Sequence, residues 1–312
     1  MNFSFRKIYF FLMILAVCML TTTSYAAEWV KAPELAMDKY YDVVREAAPG
    51  LPGWTVYRPD DQALIWSTRE KLPILIWSNG ACTETNDGAF YFLEQIAAHG
   101  FVVVAFGKPD VHVGGNGIAV AARMESAIDW ATSPPWRGGP WYFNQVDVKK
   151  IATSGFSCGG VDAEYTAVTD RRVKTSVIVS SGFYPDLLPG QTPSMSGPLA
   201  HSRDLLPNLY GPIIFLPGSP PGVGTTSDIA YPNAIANYNL ISTVPTVLAY
   251  HANTAHGGYL GTAPTSLQLQ AVQTVVDWLD GILNKNQQAL DWVIGPDGLS
   301  TLQDWTVQSK GF

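Results

Sequence analysis

The sequence predicts an α/β fold, a mostly parallel sheet with helices on both faces. Three observations point there. Short apolar runs alternate with longer amphipathic segments through most of the chain. Runs such as 72–78 and 101–106 are apolar almost throughout, as strands buried on both faces are. No period of 20–50 residues recurs and no linker divides the chain, so a solenoid is excluded and a single domain is expected over residues 27–312.

Taken in order, the segment 34–46 mixes apolar and charged residues as a helix does, and Ala48-Pro49-Gly50 ends it. Trp54 to Arg58 reads as a strand, and Leu72 to Ser78 as a buried strand closed by Asn79-Gly80. Gly88 to His99 is amphipathic with Gly100 placed to cap it, and Phe101 to Phe106 is mostly β-branched or aromatic. Ile118 to Trp130 reads as a helix stopped by Pro134-Pro135. Strands are expected at 150–154, 173–180, 212–216 and 245–250, with helices at 158–168 and 265–283. The Pro-, Gly- and Ser-rich stretches 182–212 and 217–228 follow strands and read as long loops over one sheet edge, where long loops are usually functional.

Of 312 residues, 47% are hydrophobic and 14% charged, which excludes a disordered chain. Nineteen basic against 26 acidic side chains give a net charge of −7, so nucleic acid is not an expected partner. Met1 to Ala26 has a basic start (Arg6, Lys7), an apolar run from Ile8 to Leu20, and small residues at Ser24 and Ala26. That is the layout of a cleaved secretory signal peptide, and its apolar run is short of the ~20 residues a membrane span needs. A secreted or periplasmic location is therefore expected, with no stable membrane span. Of the three cysteines, Cys18 falls in the leader, and Cys82 and Cys158 would reach an oxidising compartment.

Gly155-Phe156-Ser157-Cys158-Gly159 is a G-x-S-x-G pentapeptide between an expected strand and an expected helix. That context is what a nucleophile elbow requires: the serine occupies a strained turn, and the flanking glycines let neighbouring backbone approach. A serine hydroxyl needs a base, usually histidine, oriented by a carboxylate, and on this kind of turn the chain order is Ser, Asp/Glu, His. Of the later histidines, His201 reads as a loop residue and His251 as the hydrogen-bonded end of a strand. His256, in Ala255-His256-Gly257-Gly258 beyond the last parallel strand, is the expected base. Asp228, ahead of a helix that Pro232 begins, is the expected acid in preference to Asp186 and Asp204. The oxyanion donors are expected at the amides of Cys158 and Ala81, the latter in the loop after the strand 72–78.

At these residues the chain resembles the α/β-hydrolase superfamily, on its dienelactone-hydrolase and cutinase-like polyester-hydrolase side. The segments that carry the resemblance are Pro73 to Cys82, Glu94 to Phe106, Asp147 to Gly160 and Ser227 to Ala234, within a similarity spanning about residues 54–285. It is also similar to secreted hydrolases with an Asn-Gly-x-Cys oxyanion loop and a Ser-Cys-Gly-Gly elbow. The resemblance implies the α/β-hydrolase fold and a carboxylic-ester hydrolase acting on a small-molecule or polymeric ester, with Ser157, Asp228 and His256 as triad and neither metal nor cofactor. Phe156, Cys158 and Ala81 stand where cutinase-like enzymes usually carry His, Met and an aromatic residue, which points away from polyesters. The absence of a His-Gly-Gly-Gly motif points away from long-chain lipases. In that fold the oxyanion loop and the elbow face each other, so a Cys82–Cys158 disulfide is expected to hold one against the other.

Two other classes compete. A non-catalytic lipid- or carbohydrate-binding module on the same fold would have no use for all three of Ser157, Asp228 and His256. A metal hydrolase using His251 and His256 would pair residues five apart on a strand end and loop, unlike the helix-borne H-E-x-x-H arrangement.

Overall fold

In the computed structural model the described residues are 41–60, 71–108, 122–184, 202–261 and 265–312. The expected leader, His201 and Asp186 lie outside them. Apolar, β-branched sequence builds β1 (Val43–Ala47), β2 (Trp54–Pro59), β3 (Leu72–Ser78), β4 (Val102–Phe106) and β5 (Val146–Phe156). It continues in β6 (Val173–Val179), β7 (Ile213–Leu216), β8 (Thr246–His251) and β9 (Trp305–Lys310). These strands form one mixed sheet in the order β1-β2-β4-β3-β5-β6-β7-β8-β9. The run from β4 to β8 is parallel, and β1, β2 and β9 are the antiparallel flanks.

The helices are α1 (Phe90–Ala98), α2 (Ala122–Ala131), α3 (Cys158–Thr169), α4 (Tyr231–Leu240), α5 (Ser266–Leu279) and α6 (Gln287–Ile294). Every residue of β3 is buried, because alternate side chains serve opposite faces. Ile74 and Ile76 join a core with Met124 and Ile128 of α2 and Val161 of α3. Trp77 points the other way, its ring 5.7 Å from that of Phe92 on α1. A sheet covered on both faces explains the near-continuous apolar runs. No helix among the described residues is long and apolar enough to cross a membrane.

Parallel register brings the strand ends to one edge. Ser78 lies level with Gly155, Phe156 with Val179, and Val179 with Leu216. The segments that follow β3, β5, β6, β7 and β8 therefore leave the sheet side by side, which is the property that assembles a site.

The two edges of the sheet differ from expectation. Residues 43–46, read as part of a helix, lie in β1, which pairs antiparallel with β2 from Val43↔Pro59 to Ala47↔Thr55. An edge strand is half exposed and carries charge, so its composition resembles that of an amphipathic helix, and only its pairing partner decides between them. Near the C-terminus, α6 and β9 add to the expected elements; β9 pairs with β8 from Thr246↔Lys310 to His251↔Trp305. The expected helix 265–283 begins with a capping box, Thr265 with Gln268, and passes at Asp280 into a wider turn.

Candidate active site

The junction between β5 and α3 is strained. Ser157 adopts φ 52°, ψ −116°, a conformation that costs a non-glycine residue roughly 1–3 kcal/mol and persists only where its surroundings impose it. Close backbone approach imposes it here. A Cβ on Gly155 would lie 2.1 Å from the Gly159 carbonyl oxygen, and one on Gly159 would lie 2.1 Å from that of Ser78. Larger residues at either position would push α3 off the sheet. The Ser157 amide donates to the Val179 carbonyl at 3.1 Å, and its carbonyl accepts from the Gly160 amide at 2.9 Å.

Asp228 is 1% exposed, in the segment after β7. Its Oδ2 accepts from the Gly218 amide (2.7 Å), and its Oδ1 accepts from the Ala230 amide (2.8 Å) and faces His256 Nδ1 (2.7 Å). Burial by itself raises a carboxyl pKa; here hydrogen bonds from His256, the Ala230 and Gly218 amides and the Ser180 hydroxyl outweigh it and hold Asp228 below the ordinary carboxylate value. An ionised carboxylate only accepts, so Nδ1 of His256 carries a hydrogen, and in the neutral imidazole Nε2 is the acceptor. Nε2 lies 3.0 Å from Ser157 Oγ. The three residues expected from the sequence thus form one connected path, although they come from three different loops.

The segments after β7 and β8 are joined by contacts the sequence reading missed. The Ser219 amide donates to the Thr254 carbonyl (2.7 Å), and the Asp228 amide to the Ser219 carbonyl (2.8 Å). Tyr259, fully buried, donates its hydroxyl to the Pro217 carbonyl (2.8 Å) and accepts from the His251 amide (3.0 Å). Burial pushes the Tyr259 phenol pKa upward, which keeps it a donor. Nothing in a lone tyrosine among 14 marks it as a brace. His251 stays apart from this path: its Nδ1 lies 3.1 Å from Thr254 Oγ1 and its ring packs on Trp305. Asp204 is exposed on a short helical turn, Ser202–Asn208.

After β3 the chain makes a tight turn over Gly80–Cys82 in which Ala81 (φ 51°) and Cys82 (φ 49°) are both left-handed. Asn79 braces it, accepting from the Trp77 indole (2.8 Å) and donating to the Phe106 and Thr83 carbonyls (2.7 and 3.1 Å). The expected disulfide is present: Cys82 is bonded to Cys158, with Cα atoms 5.4 Å apart. Such a bond is compatible with an oxidising compartment. The amide of Cys158 opens α3, where N–H groups have no acceptor within the helix, and that of Ala81 lies in the left-handed turn beside it.

A cavity of about 570 Å³ opens at Ser157 and His256, walled by Trp77, Ala81, Thr85, Asn86, Phe156 and Leu260. The Phe156 ring packs on the His256 imidazole with centroids 4.9 Å apart. It fits because its neighbours are glycines: a Cβ on Gly80 or Gly257 would meet the ring at 2.4 or 2.8 Å. Trp54 lines a separate cavity with Phe106 and Arg123. Comparison of the chain with protein-family models and with curated proteins gives no match.

Proposed function

We propose that this chain is a serine hydrolase of the α/β-hydrolase type that cleaves carboxylic esters, acting after export from the cytoplasm. The observation that carries the reading is the path from Asp228 through His256 (2.7 Å) to Ser157 (3.0 Å), ending at a cavity. A binding module needs neither a strained serine nor an ionised acid behind a histidine.

In the reaction, Ser157 Oγ attacks the ester carbonyl carbon while His256 Nε2 takes its proton. The imidazolium that forms is stabilised by Asp228, which stays ionised. The carbonyl oxygen becomes an alkoxide, and the Ala81 and Cys158 amides are the donors assigned to it. Collapse of the tetrahedral intermediate breaks the C–O bond, and His256 returns the proton to the leaving alcohol. Water then repeats the sequence on the acyl-enzyme: His256 takes its proton, the acid leaves, and Ser157 regains its hydrogen.

The direct test is labelling with a fluorophosphonate, followed by peptide mapping, alongside hydrolysis of p-nitrophenyl esters of increasing chain length. Modification at Ser157 together with loss of ester turnover is expected. An unlabelled Ser157 in a protein that hydrolyses none of these esters would overturn the reading.

A further inference from the structure

Behind the three site residues, the chain leaves β6 in a buried turn, Ser180-Ser181-Gly182-Phe183, whose backbone is unusual. Ser180 has φ 44° and Gly182 has φ 152°. Both serines are buried, at 0% and 3% exposure. Neither packs as an inert small residue. The Ser181 hydroxyl donates to the Ser157 carbonyl at 2.6 Å. Ser180 Oγ accepts from the amide of Gly257, the residue after His256, at 3.5 Å, and its hydroxyl serves the Asp228 carboxylate. One turn therefore reaches the backbone of the nucleophile, the acid, and the residue beside the base.

The turn is itself anchored from three directions. The Ser180 amide donates to the Leu216 carbonyl at 3.0 Å. The Phe183 amide donates to Glu164 of α3 at 2.7 Å, and the Phe183 carbonyl accepts from Arg203 at 3.0 Å. Asn237 of α4 donates to Glu164 at 3.0 Å and accepts from Arg203 at 2.9 Å. Helix α3 starts directly after Ser157, and α4 starts three residues after Asp228. The same buried network thus ties together the two helices that follow the nucleophile and the acid.

We propose that Ser181 and Ser180 are positioning residues for the reaction, Ser181 by holding the peptide plane after Ser157 and Ser180 by holding the acid and base loops. This rests on the reading of Ser157 as the nucleophile. The physical reason is the strain at Ser157. Its amide is fixed on Val179 and its carbonyl on Ser181 and Gly160, so both peptide planes beside the nucleophile are set. The direction of Cα–Cβ, and with it the aim of Oγ at His256, follows from those two planes. With the Ser181 hydroxyl gone, the carbonyl keeps only amides from its own helix, and one of the bonds that fix the plane after Ser157 is lost. A displacement on the order of 1 Å at a reacting group can cost about 100-fold in rate.

The experiment compares purified wild type with Ser181→Ala and Ser180→Ala for three readouts: kcat and KM on p-nitrophenyl acetate, the rate of fluorophosphonate labelling at Ser157, and the melting temperature. For Ser181→Ala a fall of about 10- to 100-fold in kcat is expected, with KM within about twofold and labelling slowed by a similar factor. Ser180→Ala should show the same pattern more weakly, since its bond to Gly257 is long. If Ser181→Ala does not fold, Ser181→Cys keeps the side-chain shape with a weaker donor and carries the same expectation. Unchanged kcat and labelling in the folded variants, or a loss that only tracks the folded fraction, would overturn the proposal while leaving the hydrolase reading intact. A wild type that is not labelled at Ser157 would remove the hydrolase reading and this inference with it.

Discussion

Ser157 is held by close backbone packing, a disulfide and the Ser181 hydroxyl, whereas Asp228 and His256 are held by hydrogen bonds between loops. On the Ser157 side most constraints are steric or covalent: glycines at 155 and 159, a strained serine, and a disulfide to the adjoining turn, with the Ser181 hydroxyl added on the Ser157 carbonyl. On the Asp228–His256 side the segments after β7 and β8 contribute residues 28 positions apart, joined through Ser219, Thr254 and Tyr259. The difference teaches how each half should respond to change. A sterically built site tolerates no added atom, while one built from hydrogen bonds loses function in steps as donors are removed.

The largest effect should come from the atom both halves serve. Ser157→Ala is expected to lower ester turnover by about 10⁴-fold or more with the melting temperature nearly unchanged. Retained activity in the purified variant would show that the strained turn does not carry the chemistry.

On the other side of the comparison, Asp228→Asn keeps the shape but supplies an amide where His256 needs an acceptor. The wrong imidazole tautomer results, and kcat should fall by up to about 10⁴-fold. His256→Ala should match the serine change, because the three act as a unit. An Asp228→Asn enzyme within a few-fold of wild type would mean that the amides and Ser180 hydroxyl around the carboxylate do not serve the imidazole.

Opening the disulfide tests the Ser157 side alone. The bond closes a loop of 76 residues, so on the chain-entropy argument its loss costs about 4 kcal/mol. The paired variant Cys82→Ala/Cys158→Ala should therefore melt at a lower temperature in urea or heat scans. It should also lose turnover, because left-handed Ala81 and Cys82 are then free to relax. A variant that melts lower yet turns over as wild type would make the bridge a stabiliser only.

The last effect concerns the buried acid that joins the two sides. Burial raises Glu164 to about pH 8, against which the Phe183 amide, Asn237 and Arg203 act in the lowering direction. A folded-state pKa above the unfolded one makes stability fall as pH rises, here between about pH 4.5 and 8, because the unfolded chain releases the proton first. Asp277, raised by burial to about 7, adds a loss over an overlapping window. Urea unfolding at pH 5 and pH 8 should show a shallower decline for Glu164→Gln than for wild type. Equal declines would mean that Glu164 is already ionised in the folded protein.

What could be read from residues alone were the features whose cause is local. Runs such as 72–78 are apolar because both faces of a central strand are covered, and that property is written in every residue of the run. Gly155-Phe156-Ser157-Cys158-Gly159 announces itself because the steric demands of the turn fall within five residues. Asp228 and His256 were reached through chain order and position beyond strand ends, without any sight of their bonds. The Cys82–Cys158 pairing followed from facing loops in a resembling fold. The tertiary structure alone decided the rest. Residues 43–47 became a strand only because β2 offered its edge, and β9 needed β8 in the same way. Ser180, Ser181, Tyr259 and Glu164 are common residue types whose roles depend on which carbonyl, amide or carboxylate lies within 3 Å or so of them. Most of those neighbours are about twenty residues or more away along the chain, and a hydrogen bond between distant groups leaves no pattern in the spacing of either.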